Sequence, residues 1–173
     1  MTESLVQWTL LNNQCYLSKL LDFSIAKTIG QEINTQYGRI DFILSNPNGE
    51  HLIVELETIL DNKNKLDYCF NQTLNYKNVK FSEQTTYCIL YEDETIWKSK
   101  KLIEQFCIDN NILTKTYTLN SIQKLYSETF DRLSLNVGLA LPNPKNYTIC
   151  HMRWLNKIMK TFFDLNKESL TYN

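Results

Sequence analysis

Two stretches of alternating apolar and polar residues, separated by a turn sequence, stand out in the first half of the chain. Residues 38–44 and 51–57 alternate with the period of an extended strand and are rich in β-branched side chains, which predicts two β-strands. Between them, Asn46, Pro47 and Gly49 supply the chemistry of a tight turn. The pattern therefore predicts an antiparallel hairpin closed by a short loop.

The predicted turn determines which residues face each other across the hairpin. Asp41 falls opposite Glu55, and Arg39 falls opposite Glu57, with these side chains on one face. Opposed carboxylates repel each other, and a bound cation removes that repulsion. Because magnesium takes oxygen ligands, Asp41 and Glu55 form a candidate magnesium site. The other face carries the apolar residues predicted to be buried, namely Ile40, Phe42, Leu44, Leu52, Val54 and Leu56.

The rest of the chain alternates between helical and extended patterns. A hairpin that a helix joins to a further strand combines antiparallel pairing with a crossover, so this order predicts an α/β domain with a mixed β-sheet flanked by helices. Glycine is unfavourable inside a strand, so Gly30 counts against the strand predicted over 25–33 unless it marks a bulge. The predicted elements are one helix or two short ones over 4–22, strands over 25–33, 85–91 and 113–119, and helices over 62–79, 94–110 and 121–133.

Apolar side chains within the helices predict which faces are buried. Leu66, Phe70 and Leu74 form one stripe on the helix after the hairpin. Large aromatic side chains supply much of the buried area of a core. The residues predicted to anchor the core in this way are the three tryptophans Trp8, Trp97 and Trp154.

The length of 173 residues suits one domain. We expect residues 1–133 to form its core and residues 134–173 to form a C-terminal helical extension, a loop and a helix packed on that core. The predicted helix of this tail covers residues 147–165, and its more polar side is basic. Phosphate backbones attract such positive charge without base-specific geometry. The residues on this side expected to contact nucleic acid are Arg153, Lys157 and Lys160.

Composition excludes several classes of protein. Apolar residues make up 43% of the chain, which is typical of a globular protein and not of a disordered one. The formal net charge of −1 provides no general attraction to nucleic acid, so any such attraction must be local. The five cysteines are widely spaced and indicate buried free thiols instead of a zinc site or disulfide framework. The N-terminus lacks the pattern of a signal peptide, and no stretch suits a membrane span, so we expect a cytoplasmic protein without a membrane partner.

Three short motifs in the central stretch resemble those of the PD-(D/E)XK nuclease superfamily, in particular its RecB-like and NucS-like branches. Residues 38–41 match Gly-x-x-Asp, residues 55–57 stand where Glu-x-Lys is usual, and residues 72–76 match Gln-x-x-x-Tyr. The resemblance covers residues 38–76 by motif and about 14–91 by element order. It implies a restriction-endonuclease-like core and a metal-dependent DNA endonuclease, of a restriction or repair type, that uses Mg²⁺ or Mn²⁺. Many nucleases of this kind act as homodimers, and no interface signature in the sequence decides that question.

The resemblance also implies a role for individual residues. Asp41 and Glu55 correspond to the metal ligands, while Gln72 and Tyr76 correspond to helix residues that face the site. The separation of four residues between Gln72 and Tyr76 places both on one helix face. Besides the basic residues of the tail, those expected to lie near DNA are Arg39, Lys77 and Lys80.

The chain departs from the family pattern at Glu57, where lysine is usual. Three solutions are open: Glu57 binds a second metal ion or helps to activate water, a lysine from elsewhere enters the site, or the site is inactive. We favour the first, because strand periodicity places Glu57 on the face of Asp41 and Glu55. The lysines considered for the second solution are Lys63, Lys65 and Lys77. The third solution describes an inactive, nuclease-derived module that binds DNA or protein, and a purely structural α/β domain is a more remote possibility.

Overall fold

A computed structural model describes the backbone of residues 1–79, 82 and 84–137, with side chains up to residue 132. The chain divides into two compact units, Met1–Phe130 and Asp131–Asn173. The helices are α1 (Glu3–Leu11), α2 (Gln14–Leu21), α3 (Lys63–Tyr76), α4 (Trp97–Asp109) and α5 (Leu119–Val137). The strands are β1 (Lys27–Thr35), β2 (Gly38–Ser45), β3 (His51–Glu57), β4 (Thr85–Glu92) and β5 (Leu113–Tyr117).

The strands form one five-stranded sheet in the order β1-β2-β3-β4-β5. β1, β2 and β3 pair antiparallel, whereas β3, β4 and β5 pair parallel. The parallel pairs require crossovers, and α3 and α4 provide them. The predicted α/β class with a mixed sheet flanked by helices is therefore confirmed, and the N-terminal helical pattern is two short helices.

The turn of the predicted hairpin forms around Asn46. The backbone N–H of Asn46 donates to the main-chain carbonyl of Glu50 over 3.0 Å. Its side-chain oxygen accepts from the backbone N–H groups of Asn48 and Glu50, both at 2.9 Å. Gly49 has a φ of +81°, a left-handed conformation that glycine adopts without steric cost. The turn therefore sets the register that the sequence pattern predicted.

The β2–β3 ladder has that register but is shorter than predicted. It begins at Ser45 opposite His51 and ends at Phe42 opposite Val54. The predicted cross-strand pairs of Asp41 with Glu55 and of Arg39 with Glu57 lie beyond its end. Within the described residues, Arg39 instead pairs with Asn34 of β1 and makes no ion pair with Glu57.

The first strand, β1, is irregular at two positions. Its register with β2 shifts between Thr28 and Gly30, so Gly30 does mark a bulge. A Cβ atom on Gly30 would lie 2.5 Å from the Cδ1 atom of Ile33, which folds over the glycine. Glu32 has a φ of +47°, an uncommon conformation for a residue other than glycine.

Two hydrophobic clusters cover the two faces of the sheet. The first joins α1, α2 and α5 to the sheet, and its members include Val6, Leu10, Leu17, Leu21, Phe42, Leu44, Leu52, Val54, Leu56 and Ile122. The second lies under α3 and α4, and its members include Ile40, Ile43, Ile53, Leu66, Cys69, Tyr76, Ile89 and Ile103. Five of the six apolar hairpin residues thus share the predicted face. Ile40 instead packs in the second cluster, as does Ile33, its partner on β1.

The buried face of α3 differs from the predicted one. Its buried side chains are Leu66, Cys69, Thr73 and Tyr76, whereas Phe70 is only partly buried. The buried face of α3 is thus rotated about the helix axis from the predicted one, and Tyr76 lies in the core, where it is fully buried.

The prediction that Trp97 anchors the core is wrong. Its side chain is 69% exposed at the start of α4, because Ser99, Ile103 and Cys107 form the buried stripe of that helix. Trp8 is half-buried and Trp154 lies outside the described residues.

Several other predictions concern residues that the structure does not describe. These include most of the C-terminal loop and helix, together with Lys80, Arg153, Lys157 and Lys160. Cys69, Cys88 and Cys107 are buried free thiols, as predicted, whereas the free thiol of Cys15 is exposed. Of the helices that are described, none combines the length and apolar character needed to cross a membrane.

Replacing Asn46 by alanine tests the turn. The substitution removes an acceptor of two backbone hydrogen bonds, so the free energy of unfolding should fall by about 1–2 kcal/mol. Asn48→Ala is the matched control, because the side chain of Asn48 is exposed, and it should change stability by less than about 0.5 kcal/mol. Urea unfolding followed by circular dichroism measures both. Equal stability of the two variants would contradict this account of the turn.

Candidate active site

Asp41 lies just beyond the point where β2 stops pairing with β3, while β2 continues to pair with β1. Its main-chain carbonyl accepts a hydrogen bond of 2.8 Å from the side-chain amide of Gln7 in α1. Its carboxylate oxygen Oδ2 accepts a buried bond of 2.7 Å from the backbone N–H of Leu56. On the side of β1, the left-handed residue Glu32 lies opposite Asp41, between the two β1–β2 pairs that flank it. Side-chain bonds thus replace strand pairing at this position and leave room beside it.

Glu55 is buried on β3 next to Asp41. Its side chain is 3% exposed, and its oxygen Oε2 has no hydrogen-bond partner within the described residues. A buried polar atom without a partner costs free energy, so this oxygen indicates a position where a ligand would be stabilised.

The three predicted acidic residues line one cleft. The cleft has a volume of about 470 Å³ and opens at the end of β3 and the start of α3. Asp41 and Glu55 therefore face the same space although the ladder does not pair them. The lining residues are Glu3, Arg39, Asp41, Glu55, Leu56, Glu57, Thr58, Asn64, Lys65, Tyr68 and Gln72.

Burial and mutual repulsion act together on these carboxyl groups. Burial, followed by the charge of Asp41, raises the pKa of Glu55 to about 10. Burial raises the pKa of Asp41 to about 7, although the hydrogen bond from Leu56 acts in the opposite direction. Burial and the charges of Glu3 and Asp41 raise the pKa of Glu57 to about 7. Ionisation of all three carboxyl groups is therefore unfavourable, and a bound cation would offset that cost.

Gln72 and Tyr76 lie beside these acids on one face of α3, as their spacing predicted. The Gln72 side-chain amide donates to the carbonyl of Arg39 over 2.9 Å, and the Tyr76 hydroxyl donates to the same carbonyl. Gln72 also donates to the Tyr76 hydroxyl. The Tyr76 hydroxyl has one proton to donate and two acceptors nearby, the Arg39 carbonyl and the Glu55 carboxylate. The geometry assigns the hydrogen bond to the Arg39 carbonyl. This arrangement leaves Oε2 of Glu55 without a partner.

Gly38 provides an unusual backbone conformation at the start of β2, beside α3. Its φ of +130° is a conformation that residues with side chains rarely adopt. A Cβ atom there would lie 3.6 Å from the Tyr76 ring and 3.8 Å from Gln72. These are ordinary contact distances, so the backbone conformation, and not the closeness of α3, favours glycine at this position.

The basic residues predicted near the site do not all reach it. Arg39 is exposed and lines the cleft. Lys77 instead donates to the carbonyl of Asn110 at the end of α4. Of the lysines considered as replacements for the missing motif lysine, Lys65 lines the cleft, while Lys63 is not among its lining residues.

The helix cap of α3 positions Lys65. The side-chain oxygen of Asn62, the residue before the helix, accepts a bond of 2.9 Å from the backbone N–H of Lys65. This is an ordinary N-terminal cap, and it fixes the first turn of α3 at the cleft.

Four further residues of the cleft were not predicted from the sequence, namely Glu3, Thr58, Asn64 and Tyr68. Tyr68 lies four residues before Gln72, so extending the Gln72–Tyr76 helix face towards the N-terminus would have found it. Glu3 lies four residues before Gln7 on α1, and no local pattern indicated that α1 packs here. Its pKa is raised by burial, with Arg39 and Lys65 acting in the opposite direction.

The site fits a divalent cation that keeps part of its own coordination shell. Among the described residues, no group of three or more His, Cys, Asp or Glu side chains is placed to hold a metal ion together. Magnesium commonly takes only one or two carboxylates and completes its shell with water and phosphate oxygens. Asp41 and the unpartnered oxygen of Glu55 offer such a donor pair.

Comparison with solved structures finds several similar folds. A repair endonuclease from Pyrococcus abyssi matches 68% of this chain with 14% identity and a TM-score of 0.49. A complex of EndoMS with double-stranded DNA matches 68% of the chain with 11% identity and a TM-score of 0.49. SfsA from Pyrococcus furiosus in complex with Ca²⁺ matches 66% of the chain with 8% identity and a TM-score of 0.48. The chain spans about half the length of these structures, covering 47%, 44% and 57% of them respectively.

No protein-family model matches the sequence, and no match was found among curated proteins.

The raised pKa of Glu55 predicts how stability depends on pH in the absence of metal. Because the folded state binds this proton more tightly than the unfolded state, the resulting stabilisation is complete below about pH 4.5 and is lost as the pH rises towards 10. Glu55→Gln should therefore be more stable than the wild type at about pH 9, by about 1–3 kcal/mol, and lose less stability between about pH 5 and 9.

Thermal unfolding in EDTA at a series of pH values measures this difference. Glu94→Gln is the matched control, because Glu94 is exposed, and it should follow the wild-type profile. A Glu55→Gln profile that is parallel to the wild-type one would contradict the described environment of Glu55.

Proposed function

We propose that the cleft is the active site of a metal-dependent nuclease that hydrolyses phosphodiester bonds in DNA, in the manner of the PD-(D/E)XK superfamily. The observation that carries this proposal is the burial of Asp41 and Glu55 side by side, with a Glu55 oxygen that lacks a partner. Fully apolar or hydrogen-bonded groups would stabilise an ordinary core better at these positions. Arg39 and Lys65 at the same cleft supply positive charge for a phosphate.

Asp41 and Glu55 would hold Mg²⁺ or Mn²⁺. When bound, such an ion supplies Lewis-acid stabilisation of the phosphate charge and lowers the pKa of a bound water. Arg39 and Lys65 neutralise and orient the phosphate, which gains negative charge as water attacks phosphorus. A carboxylate oxygen of Glu57 accepts the proton from that water. The bond between phosphorus and the 3′-oxygen breaks, and solvent protonates the leaving oxygen.

Gln72 and Tyr76 are positioning residues in this proposal. Both hold the main-chain carbonyl of Arg39, so they fix the start of β2 from which Arg39 enters the cleft. The Tyr76 hydroxyl also bounds the space beside the Glu55 carboxylate. Removing either side chain would loosen the backbone of Arg39, and removing Tyr76 would also open the space beside Glu55.

Lys65 is our choice for the cation that the usual motif places at residue 57. It enters the cleft from the first turn of α3, and its helix cap fixes that turn. Glu57 and Lys65 then divide between them the tasks of accepting a proton and neutralising the phosphate.

Cleavage of plasmid DNA tests the proposed function. In Mg²⁺ or Mn²⁺ the wild type should nick or linearise plasmid, and Asp41→Asn should lower the rate at least about a hundredfold because the metal loses a charged ligand. Glu94→Gln, an exposed acid outside the cleft, is the control and should retain full activity. Failure of the wild type to cleave supercoiled, linear and single-stranded DNA with either metal would refute the proposal. DNA binding that is indifferent to Mg²⁺ and to Asp41→Asn would favour the inactive binding module instead.

A pair of neighbouring lysines tests the role of Lys65. Lys65→Met should lower the rate of cleavage about 10- to 100-fold at saturating DNA, because a charge that faces the phosphate is lost. Lys63→Met is the matched control, since Lys63 begins the same helix without lining the cleft, and it should retain nearly the wild-type rate. Equal rates for the two variants would remove Lys65 from the mechanism.

A further inference from the structure

The start of α4 exposes a large aromatic side chain beside lysines. Trp97 is 69% exposed, and its neighbour Ile96 is 49% exposed. The ammonium group of Lys101 lies 4.0 Å from the centre of the Trp97 ring, a cation–π contact that holds the ring in place. Tryptophan is usually well buried in a folded protein, so an exposed and oriented one indicates a binding surface.

Hydrogen bonds connect this surface to the rim of the cleft. Thr58 lines the cleft at the end of β3. Two residues later, the backbone N–H of Leu60 donates to the side-chain hydroxyl of Thr95 over 3.1 Å. The backbone N–H of Ile96 donates to the carboxylate of Asp61 over 3.0 Å. The segment that leaves the cleft is therefore fastened directly to the residues that precede Trp97.

The packing of α3 against α4 places the first turns of both helices on the same side. The rings of Phe70 and Phe106 stack with centroids 4.0 Å apart and an angle of 8° between their planes. Along the axis of α3, Lys65 lies about 7 Å before the Phe70 ring. Along the axis of α4, Trp97 lies about 13 Å before the Phe106 ring. Both helices follow strands that pair parallel, so both begin at the carboxyl edge of β3 and β4.

The charges beside Trp97 suit a phosphate backbone. Lys98 and Lys101 are exposed, whereas Lys100 is already paired with Asp93 over 2.8 Å. An aromatic ring flanked by lysines is the arrangement that binds single-stranded nucleic acid, since bases stack on the ring and phosphates contact the cations. In a duplex the faces of the bases are stacked on each other, so only an unpaired strand offers a base to Trp97.

We propose that Trp97, Lys98 and Lys101 form a second nucleic-acid contact, on which a base of an unpaired strand that leaves the cleft stacks against Trp97. The path of the strand rests on the proposed function, whereas the stacking contact requires neither metal nor cleavage. The contact extends the bound strand beyond the scissile phosphate. It favours substrates with an unpaired segment, such as an overhang or a displaced strand, over blunt duplex.

Fluorescence anisotropy in EDTA tests the contact with a labelled oligothymidylate of about twenty nucleotides. Trp97→Ala should weaken binding about tenfold, because one stacking contact is lost. Ile108→Ala is the control, since Ile108 is 74% exposed towards the other end of the same helix, and it should bind as the wild type does. Both side chains are exposed, so both variants should keep the wild-type melting temperature.

The salt dependence of binding tests the lysines. The double variant Lys98→Gln with Lys101→Gln should reduce the slope of log affinity against log salt by about 1.4, the loss expected for two phosphate contacts on a single strand. Lys124→Gln, an exposed lysine on α5, should leave the slope unchanged. An unchanged slope for the double variant would exclude phosphate contacts at this surface.

The outcomes separate this proposal from that of the active site. Weaker binding by Trp97→Ala without plasmid cleavage by the wild type would support the stacking contact and refute the nuclease. Cleavage together with equal affinity of Trp97→Ala and the wild type would refute the stacking contact alone, as would a wild type that does not bind the oligonucleotide in EDTA. If Trp97→Ala separates a dimer in solution and leaves oligonucleotide affinity unchanged, the surface binds a second copy of the chain and the proposal is wrong.

Discussion

The hydrogen bond from the Leu56 amide to the Asp41 carboxylate is the contact on which the cleft depends. It occupies the place of the next ladder bond between β2 and β3, so the two strands stop pairing there while β3 continues along β4. The side-chain amide of Gln7 donates a hydrogen bond to the main-chain carbonyl of Asp41 in a similar way. Hydrogen bonds to charged groups are stronger than those between neutral groups, which allows a side chain to replace strand pairing in a buried position.

This arrangement is costly for stability and useful for ligand binding. Burial raises the pKa of Asp41, Glu55 and Glu57, so the folded chain resists the charges that its own sequence places together. The apolar clusters on both faces of the sheet supply the stabilisation that keeps these groups in position. Proteins tolerate such local costs mainly at functional sites, where a ligand relieves them.

Local patterns in the sequence predicted the hairpin, its register and the order of elements, because turn chemistry and the strand period act over a few residues. They did not predict that the ladder stops at Phe42, since that depends on a bond between Asp41 and a main-chain group of the other strand. Glu3 reaches the cleft through the packing of α1, which has no local signature. Trp97 was assigned to the core by residue type, whereas the buried stripe of α4 follows smaller residues. Residue type and spacing thus identified Asp41, Glu55 and Glu57, whereas tertiary packing added Glu3 and determined which of the candidate lysines reaches the cleft.

The irregularities of β1 also affect how copies of the chain can associate. β1 is an edge strand, and a regular edge offers unpaired amide and carbonyl groups to a strand from another molecule. The bulge at Gly30 and the left-handed Glu32 interrupt that row of groups, and Glu32 adds a negative charge to it. Intermolecular extension of the sheet through β1 is therefore disfavoured. This edge therefore protects the folded chain against aggregation by strand addition at β1.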